Sequence, residues 1–248
     1  MKKSILMSAI IGALFLMTSC LGEISNSYEN EIAIVYLDVD DMGAIYGKTF
    51  PLKSNSYSMR YIVSNDMIIS DTFKLMIYSW DEDNGTKLLN IGGQSFQADL
   101  VRLADESLDI DTKTLRYIPL PEEAEPNSFL ELTPFLMSNS AKDIGDKWLF
   151  QYSYEITKGL TPNVEFFKRN SVEGSENVVI DVHMSHSGNA DGATVEQKSS
   201  FVALNMSGLR NEYSNTNIEK LNIKFVYHLK GKAEPVESTT YNMLLNVN

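Results

Sequence analysis

From about residue 30 onward, apolar and polar positions alternate with period two in short segments rich in Ile, Val, Tyr and Phe, bounded by Asn, Asp, Gly and Ser, and helical spacing is nearly absent. Such alternation sends every second side chain to one face of a pleated strand, so the chain reads as all-β. In the first half Glu31–Val39, Tyr57–Val63, Thr72–Ser79, Lys87–Ile91 and Ser95–Leu103 read as strands. Between two of them, Trp80-Asp81-Glu82-Asp83-Asn84-Gly85 places an Asn-Gly turn that predicts a hairpin. The second half opens with Ser128–Met137 and holds the cleanest strand, with Trp148, Phe150, Tyr152, Tyr154 and Ile156 on alternate positions. The same phase returns at Val178, Ile180, Val182 and Met184, at Leu221, Ile223, Phe225, Tyr227 and Leu229, and at Tyr241, Met243, Leu245 and Val247.

The two halves are separated by Pro119, Pro121 and Pro126 with Glu122, Glu123 and Glu125. Missing amide donors and fixed φ prevent ladder pairing there, which predicts a first domain over 31–118, a Pro/Glu linker over 119–127 and a second domain over 128–248. Half-buried strands at this spacing predict a two-sheet sandwich for the second domain. The first, with fewer strands, reads as a small barrel.

Ahead of the strands, Lys2 and Lys3 precede an apolar run from Ile5 to Met17 that ends in Thr18, Ser19 and Cys20. At about 1.5 Å per helical residue the run is too short to cross a bilayer of about 30 Å, and its flanks are those of a signal peptide over 1–19. Cys20 after small residues resembles the lipobox of bacterial lipoproteins, with Met17 where Leu is more usual. The resemblance implies that the Cys20 thiol is diacylated and becomes the mature N-terminus. Two acyl chains hold a protein on a membrane stably where one does not. Residues 20–30 then form a lipidated tether with Glu23 and Glu29 as its only acids, without the acidic run that some surface-exported lipoproteins carry. The expected location is the bacterial outer membrane, on its periplasmic or its outer side.

Composition narrows the chemistry. At 43% hydrophobic residues the chain is too apolar for disorder, and one Cys excludes a disulfide scaffold. A formal charge of −12 works against nucleic acid as a partner, since such binding relies on cations displacing phosphate counterions. Gly47-Lys48-Thr49 lacks the earlier Gly of a phosphate loop, Met42 standing in its place, and reads as a strand with one exposed Lys. Asp38-Val39-Asp40-Asp41-Met42-Gly43 imitates a calcium loop but has Met42 and Thr49 where ligands are needed, so it reads as a solvated strand end. Asp81, Glu82 and Asp83 read as a polar hairpin tip, with loose calcium binding as the alternative.

The three histidines, His183, His186 and His228, include a pair spaced three apart, which in a strand point to opposite faces. They read as surface residues, and neither a metal nor a cofactor is expected. No G-x-S-x-G elbow is present, Gly93-Gln94-Ser95-Phe96-Gln97 lacking the second Gly, so no catalytic residue is named. Trp80, beside the turn, is the candidate exposed ligand contact.

Asp146-Lys147-Trp148 with Tyr152, the strand Val178–Asn189 with its His-bearing end, Ser200–Leu204 with Leu209, and Leu221–Tyr227 together resemble the NigD-like lipoproteins of the Bacteroides group. In the first half the likeness rests on Asp71–Leu75 alone. The resemblance implies an OB-like N-terminal barrel and an immunoglobulin-like C-terminal sandwich, with no established reaction and no catalytic residues to carry over. The expected function is that of a lipid-anchored, non-enzymatic envelope protein whose loops bind a protein or glycan partner. The alternatives are a hydrolase with a spatially assembled Ser, His and carboxylate, and a fimbrial or structural subunit.

Overall fold

The computed structural model describes residues 27–52, 59–104, 107–120, 128–137, 144–170 and 174–245. The signal run, Cys20 and the core of the Pro/Glu stretch lie outside them. The chain is all-β, with two curled sheets, and divides into two compact units, Met1–Ser70 with Leu75–Leu108, and Asp71–Lys74 with Asp109–Asn248.

The strands of the first sheet are β1 (Tyr28–Val39), β2 (Ile45–Pro51), β3 (Tyr61–Val63), β4 (Thr72–Trp80), β5 (Thr86–Ile91), β6 (Gln94–Leu100) and β7 (Arg102–Leu103), in the order β5-β6-β3-β2-β1-β4-β7. A short β8 (Leu108–Ile110) pairs with β4. Ala33 to Leu37 are all buried, so the middle of β1 is covered on both faces and alternation is lost there. On β2, a Cβ at Gly47 would lie 2.5 Å from Val35 Cγ1, which is why the residue opposite Leu37 carries no side chain.

The Asn84-Gly85 turn does not make the expected hairpin, because β4 and β5 are not neighbours in the sheet. A type I′ hairpin needs left-handed backbone at both central residues, and here Asn84 has no positive φ while Gly85, at φ 72° and ψ −164°, lies outside that region. Glu82–Asn84 form instead a 3₁₀ turn capped by Asp81, whose carboxylate accepts from the Asn84 amide at 3.0 Å. The two-residue hairpin of this unit is Gly92-Gly93, at φ 58° and 76°, between β5 and β6.

The acidic turn after β1 has a structural use that its calcium-like pattern conceals. Asp40 accepts the amides of Ala44 at 2.7 Å and Met42 at 3.0 Å and reaches that of Asn90 at 3.4 Å, while Asp41 accepts those of Gly92 and Gly93 at 3.1 and 2.8 Å. The two carboxylates thus tie the β1–β2 turn to the β5–β6 turn. The Ala44 amide above all, with those of Asn90 and Met42, holds the Asp40 carboxyl below its ordinary range. A lowered folded value means stabilisation that is present above the unfolded value of about 4 and is lost as pH falls through the folded one. Asp40→Asn is therefore expected to flatten the acid limb of the first unit's stability. Trp80 fluorescence during urea unfolding at successive acid pH values, in a Trp148→Phe background, measures it; an unchanged acid limb would refute the assignment.

The second unit contains β9 (Thr112–Arg116), β10 (Phe129–Met137), β11 (Lys147–Thr157), β12 (Leu160–Lys168), β13 (Asn177–Gly188), β14 (Val195–Asn205), a helix α1 (Ser207–Tyr213), β15 (Lys220–Tyr227), β16 (Val236–Glu237) and β17 (Tyr241–Leu244). The order is β10-β11-β14-β9-β12-β13-β15-β16, with β17 also on β15. β9 runs beside β14 from Thr112 to Thr114 and then beside β12 at Leu115 and Arg116, passing from one layer of the sandwich to the other. It therefore belongs to this unit.

The alternating residues of β11, Trp148 through Ile156, meet Val178, Ile180, Val182 and Met184 of β13 and Leu221, Ile223 and Phe225 of β15 in one core. β11 is entered through Gly145 and Asp146, both left-handed, at φ 62° and 57°. Asp146 tolerates this because its side chain is engaged. It makes a two-pronged pair with Arg210 of α1, at 2.7 Å on each arm, and its carbonyl accepts the Met206 amide at 2.8 Å. The same guanidinium donates to the carbonyls of Leu244 and Leu245 at 2.6 and 2.9 Å, so one side chain joins the start of β11, the helix and the end of β17.

Candidate binding site

The sheet of the second unit starts at β10 and ends at β16 and β17, and its curl brings these ends together. β10 is joined to the stretch that follows β15 by one bridge, Phe129 with Leu229, where the Phe129 amide donates to the His228 carbonyl at 2.9 Å and the Lys230 amide to the Phe129 carbonyl at 2.8 Å. Past that bridge, among the described residues, the two edges are not paired. A pocket of about 300 Å³ occupies the gap. Its floor is Phe150, Phe225 and Tyr227; Leu132, Thr133 and Pro134 form one wall and Ser238, Thr239 and Tyr241 the other.

Local sequence explains why the edges stay apart. Pro134 has no amide to donate, and the register of β10 on β11 shifts between Phe129 and Glu131 and again between Pro134 and Leu136. On the other side Ser238 breaks the ladder. Its amide donates to the Phe225 carbonyl at 2.8 Å, but its hydroxyl, in place of a backbone carbonyl, accepts the Phe225 amide at 2.9 Å and donates to the Thr239 carbonyl at 2.7 Å. The strand kinks there, separating β16 from β17.

The pocket floor is part of the core. Phe225 sets its ring 4.9 Å from Phe150, 6.0 Å from Trp148 and 6.1 Å from Tyr241, and Phe129 packs edge-on against Tyr227 at 6.3 Å. Burial first, then Tyr241 and Glu131 nearby, pushes the Tyr227 phenol up, so it stays a neutral donor at physiological pH. Glu237 also borders the pocket, but it stands opposite Val226 in register and its carboxylate takes the Lys224 ammonium at 3.0 Å. Among the described residues, the hydroxyls of Tyr227, Tyr241 and Thr239 have no hydrogen-bond partner.

The residues singled out in the sequence lie elsewhere. Trp80, expected as an exposed contact, is half-buried: its ring stacks on Tyr28 at 5.7 Å and its indole N–H donates to the Gly85 carbonyl at 2.8 Å. Lys48, expected to be exposed, is 5% exposed, with its ammonium 3.9 Å from Asp38 and over the Tyr46 ring. His183 is likewise not a surface residue. It is 7% exposed and meets Phe167 edge-on, on a sheet face where Arg116 lies over that ring and Arg169 pairs with Asp181. Long charged side chains laid across the sheet cover what alternation assigns to solvent. β13 continues through His186, so that residue falls on the opposite face from His183. Burial lowers its imidazole.

The pocket residues were not singled out because Tyr227 and Tyr241 share the apolar phase and read as core. The one local signal is Pro134 inside a strand, which marks an edge.

No protein family profile matches the sequence, and neither does any curated protein. Solved structures do resemble it. An uncharacterized protein from Parabacteroides merdae aligns over 87% of this chain and 99% of its own at TM-score 0.54 and 11% identity. A candidate lipoprotein from Bacteroides fragilis aligns over 89% and 99% at TM-score 0.55 and 13% identity. A NigD-like immunity protein from Bacteroides caccae aligns over 87% and 97% at TM-score 0.48 and 13% identity. At these identities the likeness is one of fold.

Proposed function

We propose that this chain is a lipid-anchored binding protein of a bacterial envelope, tethered to the outer membrane through diacylated Cys20 and holding its ligand, a protein or a glycan, in the seam pocket of the second unit. The observation that carries the reading is the pocket itself, concave, aromatic-floored and rimmed by hydroxyls, at the volume where small-molecule sites begin. Binding rather than catalysis is favoured because no His or Cys lines it and its carboxylate is held by Lys224, which leaves no nucleophile beside a base. The anchor is supported by the Lys2 to Cys20 pattern and by a fold neighbour described as a candidate lipoprotein. Membership among the NigD-like lipoproteins rests on the Asp146-Lys147-Trp148 and Val178–Asn189 resemblances.

A photo-crosslinking amino acid placed at Thr239 in the acylated protein, in its own envelope, tests the site, with the same group at exposed Leu244 as control. The expected result is an envelope adduct from position 239 and none from 244. No adduct, or equal adducts from both, overturns the reading. An intact mass without the acyl increment on the Cys20 peptide overturns the anchor.

A further inference from the structure

We infer that the seam pocket takes a single uncharged sugar ring, the terminal residue of a neutral glycan; this rests on the pocket being the binding site. A pyranose has two surfaces, an apolar C–H face and a girdle of hydroxyls, and the pocket has both counterparts. Leu132, Pro134, Phe150 and Phe225 offer apolar and aromatic surface, and the hydroxyls of Tyr227, Tyr241 and Thr239 stand without partners among the described residues. Such hydroxyls bond to water in solution, and the hydroxyls of a sugar can replace that water bond for bond. A volume of about 300 Å³ holds one ring with its substituents rather than a chain of them.

Charge sets the ligand class. Each carboxylate near the rim already has a partner, Glu237 in Lys224 at 3.0 Å and Glu131 in the Thr133 hydroxyl at 3.0 Å. No cation borders the pocket to receive a phosphate, sulfate or uronic acid, and a chain of formal charge −12 repels such groups at a distance. An added peptide strand is disfavoured for a different reason. Strand addition needs a continuous ladder of amides and carbonyls, and β10 offers Pro134 and two register shifts.

Saturation-transfer NMR and calorimetry on the mature protein test this with the neutral methyl glycosides of glucose, galactose, mannose and N-acetylglucosamine, with galacturonate as the charged counterpart and N-acetyltyrosine amide as the aromatic side-chain counterpart. At least one neutral glycoside should bind with Kd below about 10 mM and galacturonate roughly tenfold more weakly or not at all. Tyr241→Phe and Thr239→Val keep the packing and remove only hydroxyls, and each should weaken binding several-fold, while Tyr117→Ala, away from the pocket, leaves it unchanged. Binding of none of the four glycosides, equal binding of galacturonate, tighter binding of the tyrosine amide, or indifference to both hydroxyl removals overturns the inference. A Thr239 crosslink to the envelope alongside failure of every glycoside would sink the sugar and leave the binding site standing; loss of both removes both.

Discussion

Arg210→Ala is expected to cost the second unit about 3 to 5 kcal/mol, the usual loss when one partner of a buried ion pair is removed and the other stays behind without it. The side chains of Arg210 and Asp146 are only 17% and 9% exposed, so water cannot replace the lost guanidinium well. The loss extends beyond the pair. The Leu244 and Leu245 carbonyls lose their donor, and Asp146 loses the contact that compensates its left-handed backbone. Arg210→Lys should recover only part of this, since an ammonium is a point charge and cannot form two parallel bonds to one carboxylate while serving two carbonyls. Urea unfolding followed by Trp148 fluorescence, in a Trp80→Phe background, reports on this unit alone. A loss below about 1 kcal/mol would place the pair among ordinary surface bridges and refute the account.

Phe225→Ala should be nearly as damaging, at about 3 to 5 kcal/mol for a fully buried aromatic cut to a methyl. Phe225 is 1% exposed and sits between the rings of Phe150, Trp148 and Tyr241, so its removal leaves a cavity that three rigid rings cannot collapse to fill. The cavity opens into the pocket floor. The variant should therefore lose ligand affinity as well as stability, whereas Tyr241→Phe should affect affinity with little change in the urea midpoint. Equal stability losses from the two substitutions would mean that the pocket and core are not distinct in the way described.

The layout of the core was legible because a strand buried on one face must alternate, and β11, β13 and β15 keep one apolar phase along most of their length, although Leu149 and Val226 are buried out of phase. What that periodicity cannot convey is whether the second face is covered. His183 was assigned to solvent by phase and Lys48 by default once the phosphate loop was set aside, yet an aromatic ring lies against each. The Asn84-Gly85 turn misled because the dipeptide allows a hairpin without compelling one. Strand order decides, and β5 pairs with β6 instead of β4. The acidic turn's role as a double clamp depends on Asn90, Gly92 and Gly93, some fifty residues away, and so could not be read from its own spacing. Distance in sequence also hid the Asp146–Arg210 pair and the pocket, whose walls come from segments about a hundred residues apart. The anchor proposed at Cys20 is the reverse case, resting entirely on the pattern of residues 1–20, which lie outside the described residues.

β9 has a consequence for how the second unit assembles and how it can be dissected. Its five residues must find Ala203–Asn205 on one side and Phe166–Phe167 on the other before the two layers are joined, and neither partner is local. Such remote parallel pairings are slow to form, so maturation of this half should trail that of any hairpin-rich neighbour. A polypeptide trimmed to start at the proline stretch would also arrive without its own central staple. It would present two unsatisfied strand borders to its fellows, and clumping rather than an autonomous folded half would be the outcome.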